Sequence, residues 1–208
     1  MTINEFAVGL GYLGSALGVA MVVPQIVRIV RHPSLPGVSP LSWALTSMAC
    51  LGWMTYGFRM GATPQIPGNV LLVSGALAVV LLVNGTIPRG RRALLLASAA
   101  AALLAIVWLI PADSVGYFAF TVGLFASWPQ LYDSIGNWRA RLNSGVSVST
   151  WNLRIASQVC WLTYAVGTSD LAVGISACVA LSTAAAMVAL ELMARAASPA
   201  TAVAAEAA

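Results

Sequence analysis

Apolar residues fill this chain in long runs, separated by short polar clusters. Runs of about 18 or more apolar residues predict membrane-spanning helices. Seven such stretches occur, at residues 6–29, 40–58, 68–86, 93–110, 115–135, 148–167 and 171–193. Helix-breaking Pro and Gly mark the gaps between them, as in the loop 31–39 with Pro33, Pro36 and Gly37. The first, fifth and sixth stretches contain internal Pro, Gly or polar residues, which blurs their ends. The predicted class is an all-α integral membrane protein of seven transmembrane helices.

The pattern also repeats. Gly11-Tyr12, Gly18 and Pro24-Gln25 recur as Gly116-Tyr117, Gly123 and Pro129-Gln130 at a constant offset of 105. Beyond the next loop the offset becomes 108: Gly37-Val38-Ser39 recurs as Gly145-Val146-Ser147, and Trp43, Leu45, Trp53, Thr55 and Tyr56 recur as Trp151, Leu153, Trp161, Thr163 and Tyr164. An internal repeat of this length decides the architecture. Residues 1–88 form a first triple-helix repeat, 89–112 a linker helix matching neither copy, 113–194 a second repeat, and 195–208 an Ala-rich tail expected to be disordered. Three helices are an odd number, so the linker restores the orientation and the two triplets run parallel in a 3+1+3 layout. Transporters with parallel repeats place their substrate site at the repeat interface near the midplane.

Composition sharpens this picture. The chain is 60% hydrophobic and 8% charged, whereas soluble domains carry about 25% charged residues. There is no Lys; Arg28, Arg31, Arg89, Arg91, Arg92, Arg139, Arg141, Arg154 and Arg195 fall on one side of the predicted spans, against Arg59, Glu5, Asp113 and Asp170 on the other. The positive-inside rule then puts the N-terminus outside and the C-terminus in the cytoplasm of a cell membrane. The basic charge is spent on topology, so no nucleic-acid partner is implied. Met1 to Glu5 lack the basic start of a secretory signal, and the first helix is expected to be retained. Cys50, Cys160 and Cys178 all lie in apolar stretches, a placement that predicts no disulfide framework.

Several residues stand out against this apolar background. Pro24 and Pro129, each followed by Gln (Gln25 and Gln130), remove a backbone hydrogen bond within a span; they read as hinges or as static kinks. Gly18 and Gly123 are expected to serve helix packing. Trp53 and Trp161 occupy equivalent positions and read as the aromatic faces of a pocket or as an interfacial belt, the latter suiting Trp43, Trp138 and Trp151. Asn69 is a polar amide in hydrocarbon, either bonding another helix or lining a cavity. Gln158, three residues before Trp161, shares its helix face. Ser176 is a weaker polar candidate, since Ser in a helix often bonds its own backbone. His32 sits in a loop and reads as solvated. No metal-ligand cluster, nucleophile–base pair or phosphate loop occurs, so no enzyme activity and no cofactor are expected. Asp133 and Glu191 lie away from the midplane, which argues against proton coupling.

These motifs together resemble the PQ-loop superfamily, and the layout resembles the SWEET sugar transporters, themselves an instance of the parallel-repeat design. Trp53-Met54-Thr55-Tyr56-Gly57 followed by Asn69 resembles the half-size SemiSWEET unit. A third Pro-Gln, Pro64-Gln65, stands in an outside loop with no repeat around it. The resemblance implies that Trp53, Asn69 and Trp161 line a sugar pocket, and that Tyr56, Arg59, Tyr164 and Asp170 form an outer gate or an ordinary solvated rim. The second repeat departs from the pattern at Ala177, where Asn is expected, and at Val148, opposite Pro40. The implied function is facilitative uniport of a small neutral solute, a mono- or disaccharide, by alternating access and indifferent to pH gradient and membrane potential. Alternatives are a carrier of another metabolite such as an amino acid, with or without protons, and a non-transporting membrane receptor. The implied partners are a small-molecule substrate and the lipid bilayer; a homo-oligomer is left open.

Overall fold

The computed structural model describes residues 2–31, 40–82, 87–139 and 148–196. Their chain forms seven α-helices: α1 (Ile3–Arg31), α2 (Pro40–Met60), α3 (Gln65–Leu82), α4 (Arg89–Leu109), α5 (Ala112–Arg139), α6 (Val148–Thr168) and α7 (Leu171–Ala196). The expected loop with His32, both Gly-Val-Ser segments and residues 197–208 of the tail lie outside the described residues, as do the side chains of Pro24, Gln25, Pro129, Gln130 and Asp133. Thr2 and Glu5 start α1 with a capping box: the Thr2 N–H donates to Glu5 Oε2 at 2.8 Å and the Glu5 N–H to Thr2 Oγ1 at 3.2 Å. Helices α1 and α5 continue through Pro24 and Pro129.

Two boundaries differ from expectation for clear reasons. Helix α3 opens at Gln65 rather than near Gly68, because Pro67 falls in its first turn, where a missing N–H costs nothing. Pro64-Gln65 is therefore a helix start and not a loop tip. Helix α7 runs through Ala196, past the expected start of the tail. The turns α2–α3 and α6–α7 match: Gly61 (φ 69°) and Ser169 (φ 56°), 108 residues apart, are both left-handed.

Helix α3 packs between α1 and α2, and α7 between α5 and α6. Across the two groups α1 packs on α6 and α2 on α5, closing a ring in the order α1, α3, α2, α5, α7, α6. Helix α4 stands outside that ring against α2, α3 and α5. Arginines fasten it at both ends: Arg92 Nη1 donates to the Val80 carbonyl near the end of α3 at 2.7 Å, and Arg59 Nη1 donates to the carbonyls of Val107 and, at 2.9 Å, Ile110. Arg59 also lies 5.3 Å from the centroid of the Trp108 ring, a cation–π distance.

The repeated Gly-Tyr motif has a packing cause. A Cβ on Gly11 would stand 2.8 Å from Tyr164 Cδ2 and 2.9 Å from Pro64 Cβ; one on Gly116 would stand 2.7 Å from Ala172 Cβ and 3.0 Å from Tyr56 Cε2. Each glycine thus admits a tyrosine from the other repeat. Gly18 and Gly123 do not serve close packing: a Cβ there meets nothing nearer than 3.8 Å and 3.6 Å. Gly116→Ala is expected to destabilise by about 1–3 kcal/mol through overpacking. Gly9→Ala, with nothing within 4 Å, is expected to be neutral or slightly stabilising; chemical unfolding of both variants in detergent checks the contrast.

By length and composition four helical segments among the described residues can cross a bilayer: Ile3–Val23, Gln65–Leu82, Arg89–Leu109 and Leu171–Met193. Helices α2, α5 and α6, also expected to span, are not among these four; α2 carries Arg59, α5 carries Asp113, Asp133 and Arg139, and α6 carries Arg154. The outside of the bundle is apolar, with Leu109 86%, Val166 74% and Trp128 62% exposed. Trp151 is buried with Ala184 and Met187, so the interfacial role expected for it does not hold: it faces α7, not the surface.

Candidate substrate cavity

Two buried clusters leave a space between them. One, at the end carrying the α2–α3 and α6–α7 turns, includes Leu51, Tyr56, Ala62, Val107, Val115, Tyr164 and Ala172. The other is the Trp151 group near the opposite end. Between them lies a cavity of about 290 Å³ lined by all six ring helices, near the small end of ligand pockets, about 300–1,000 Å³.

Its walls come in matched pairs. Thr46, Ala49, Cys50 and Trp53 line it from α2, and their counterparts 108 residues on, Arg154, Ser157, Gln158 and Trp161, line it from α6. Gln65, Gly68, Asn69 and Leu72 of α3 are answered by Val173, Ser176, Ala177 and Ala180 of α7. Gly18 and Gly123 face it from α1 and α5. The spacing i, i+3, i+4, i+7 is one helix face, so each repeat contributes the same stripes. The chemistry differs between copies: α6 is more polar than α2, and α3 more polar than α7.

All five expected substrate residues, Trp53, Asn69, Gln158, Trp161 and Ser176, lie on this one cavity. Asn69 is 9% exposed. Its Nδ2 donates to the Gln65 carbonyl at 2.6 Å and to Gln65 Oε1 at 3.3 Å, both within α3. Among the described residues its hydrogen bonds thus stay in its own helix and do not glue α3 to a neighbour. Ser157 Oγ donates to the Gly14 carbonyl at 2.8 Å and pins α6 to α1 beside the cavity.

The four residues expected at a gate are split. Trp53 meets Tyr56 edge-on at 5.7 Å between centroids, and Trp161 meets Tyr164 in the same way at 5.6 Å. One turn past the tryptophans, Tyr56 Oη donates to Asp170 Oδ1 at 2.8 Å. That carboxylate also caps α7, accepting from the Val173 N–H at 3.1 Å. Ala62 stands 108 residues before Asp170, so the first repeat has no matching acid for Tyr164. Arg59 does not join this group; its polar contacts are with α4. Tyr56 and Tyr164 are both buried, so these two are not a solvated rim.

Among the lining residues beyond the five expected, three are polar neighbours of those five on the same helix faces: Gln65, Arg154 and Ser157. Gln65 belongs to the Pro64-Gln65 pair outside the repeat and sits one turn before Asn69. Arg154, one of the nine arginines on the expected cytoplasmic side, lies about two turns into α6, which leaves eight Arg against one in the charge asymmetry. Ser157, opposite Ala49, stands in none of the repeated motifs. Carrying the 108 offset through the whole helix face would have marked Arg154 and Ser157, both on the stripe of Trp161.

No family profile matches the sequence, and no curated protein matches it. Among solved structures, one likeness extends over almost the whole of both chains. The fold is similar to that of a eukaryotic SWEET transporter. The TM-score is 0.77, with 93% of this chain and 99% of the SWEET chain covered, at 15% identity. At that identity the likeness is one of fold alone.

Proposed function

We propose that this chain is a facilitative membrane transporter for a small hydroxylated solute of sugar size, working by alternating access, and not an enzyme. The observation that carries this is the cavity: it is lined by equivalent stripes from two repeats, each including an equivalent tryptophan. A pseudo-symmetric site at a repeat interface suits a carrier that opens to either side. The SWEET-like fold supports the same reading. In it, residues 1–88 and 113–194 act as moving units, 89–112 links them, Trp53 and Trp161 stack the solute's C–H faces, and Asn69, Gln158 and Ser176 bond its hydroxyls. Pro24-Gln25 and Pro129-Gln130 serve as hinges, while Tyr56, Tyr164 and Asp170 close one end. No Asp, Glu or His lines the cavity among the described residues, which favours transport without protons.

The test is uptake of labelled solutes by liposomes holding the pure protein, with and without an imposed proton gradient. Saturable uptake that ignores the gradient is expected. Concentrative uptake driven by protons and lost in Asp133→Asn would overturn the uniport reading. The remaining charge asymmetry favours an external N-terminus and a cytoplasmic C-terminus; a reporter fused after Arg195 is expected to read as cytoplasmic, and a periplasmic reading would reverse the orientation.

A further inference from the structure

The α6 wall holds a cation that a neutral sugar does not need. Arg154 is on the same face as Gln158 and Trp161, at i+4 and i+7, and lines the cavity with them. Seven residues at about 1.5 Å rise set it about 10 Å along the axis from Trp161. Its guanidinium carbon lies 5.3 Å from the Trp151 ring centroid, and its Nε is buried without a hydrogen-bond partner. Among the described residues no carboxylate pairs with it. Thr46 holds the equivalent place in the first repeat, so neither the fold nor the repeat requires a charge there.

Arginine stays protonated at any physiological pH. A buried cation without a counter-charge is costly, and an ionisable group within a membrane bundle marks a functional site by default. We infer that Arg154 is the anion-binding end of the cavity and that the solute carries one carboxylate, which the guanidinium fork takes up beside Trp151. This rests on the transport reading and narrows its substrate to a hydroxylated monocarboxylate, such as a sugar acid. The class follows from the other lining groups. Arg154 is the only cationic residue among the described lining residues, so it balances one negative charge; a phosphate monoester, carrying about −1.5 to −2 at pH 7, would leave charge uncompensated. An amino acid would bring an ammonium group that finds no acid among the described lining residues. Trp53 and Trp161 supply faces for the ring, and Asn69 and Gln158 supply partners for its hydroxyls. An anion moved without protons makes transport sensitive to membrane potential, which replaces the indifference expected for a neutral solute.

The test compares labelled D-glucuronate, D-glucose, D-glucose 6-phosphate and L-leucine in proteoliposomes of the full chain, at neutral pH with the potential clamped at several values. Glucuronate is expected to enter saturably, at least tenfold more efficiently than the other three, and more slowly when the receiving side is negative. Arg154→Gln is expected to remove at least tenfold of the preference over glucose. Arg154→Lys, which keeps the charge but loses the planar fork, is expected to retain part of it, which guards against reading misfolding as lost recognition. Glucose carried as well as glucuronate, or a preference unchanged in Arg154→Gln, would overturn the carboxylate inference and leave the transporter reading standing. Preference for leucine or for the phosphate ester would overturn the monocarboxylate class. Saturable uptake of none of the four would count against both readings.

Discussion

Trp53→Ala and Asn69→Ala are each expected to cut solute uptake by tenfold or more while the protein remains folded. Trp53 offers an aromatic face to the cavity, and Ala removes both the stacking surface and the wall that excludes water. Aromatic contacts contribute about 0.5–1.5 kcal/mol beyond the area they bury, and the buried ring face adds to that. Asn69 loses a bond to a solute hydroxyl, worth about 1–3 kcal/mol when its partner is left unpaired in the cavity. Both changes are tolerable to the fold. Trp53 is only partly buried, and the side-chain hydrogen bonds of Asn69 stay within α3. Trp53→Phe keeps an aromatic face and is expected to fall between wild type and Ala. Initial uptake rates, set beside size-exclusion profiles of the same preparations, check this; normal transport by both Ala variants would remove the cavity from the mechanism.

Asp170→Ala is expected to impair both stability and transport, and more severely than Tyr56→Phe. The carboxylate does two things. It caps α7 through the Val173 N–H, a contact worth about 0.5–2 kcal/mol. It also accepts the Tyr56 hydroxyl from the other repeat, and hydrogen bonds to charged groups contribute about 1.5–3 kcal/mol. Tyr56→Phe removes only the second contact and keeps the ring that packs against Trp53 and Gly116. With the latch gone and the cap intact, that variant should stay folded but favour the state open at this end. Chemical unfolding of the two variants, together with uptake measured in both directions, separates cap from latch. Equal stability of the two variants would show that the cap contributes nothing, and unchanged transport in both would show that the contact is not part of a gate.

Much of this was legible in the chain, and the reasons are physical. Membrane helices declare themselves through long apolar runs, and the repeat could be read from Gly, Pro and Trp because those residues answer constraints that both copies share. Gly11 and Gly116 are conspicuous because each must admit a tyrosine. The Trp53 and Trp161 positions followed from the same symmetry, whereas Asn69, opposite Ala177, followed only from the resemblance to the SemiSWEET unit. What escaped was the chemistry that breaks it. Arg154 looked like one more positive-inside arginine, since hydropathy cannot tell a residue two turns inside a helix from one at its mouth. Arg59, near the helix end, was expected at an outer gate or a solvated rim, but direction around the helix decides its partner, and that direction is toward α4. Gln65 was hidden by Pro67, which signals a break in sequence yet is harmless in a first helical turn. Trp151 looked interfacial by position and is buried by its facing α7 neighbours.

The central claim is that one cavity is presented alternately to the two sides of a membrane. Counterflow tests it most directly: liposomes holding the protein are loaded with a high concentration of unlabelled solute, diluted, and offered a trace of labelled solute outside. Alternating access predicts that label rises transiently above its external level and then falls, and that Trp53→Ala flattens this overshoot. Label that only approaches the external level would indicate a channel, and no protein-dependent entry of any solute would indicate a receptor; either result would contradict the account.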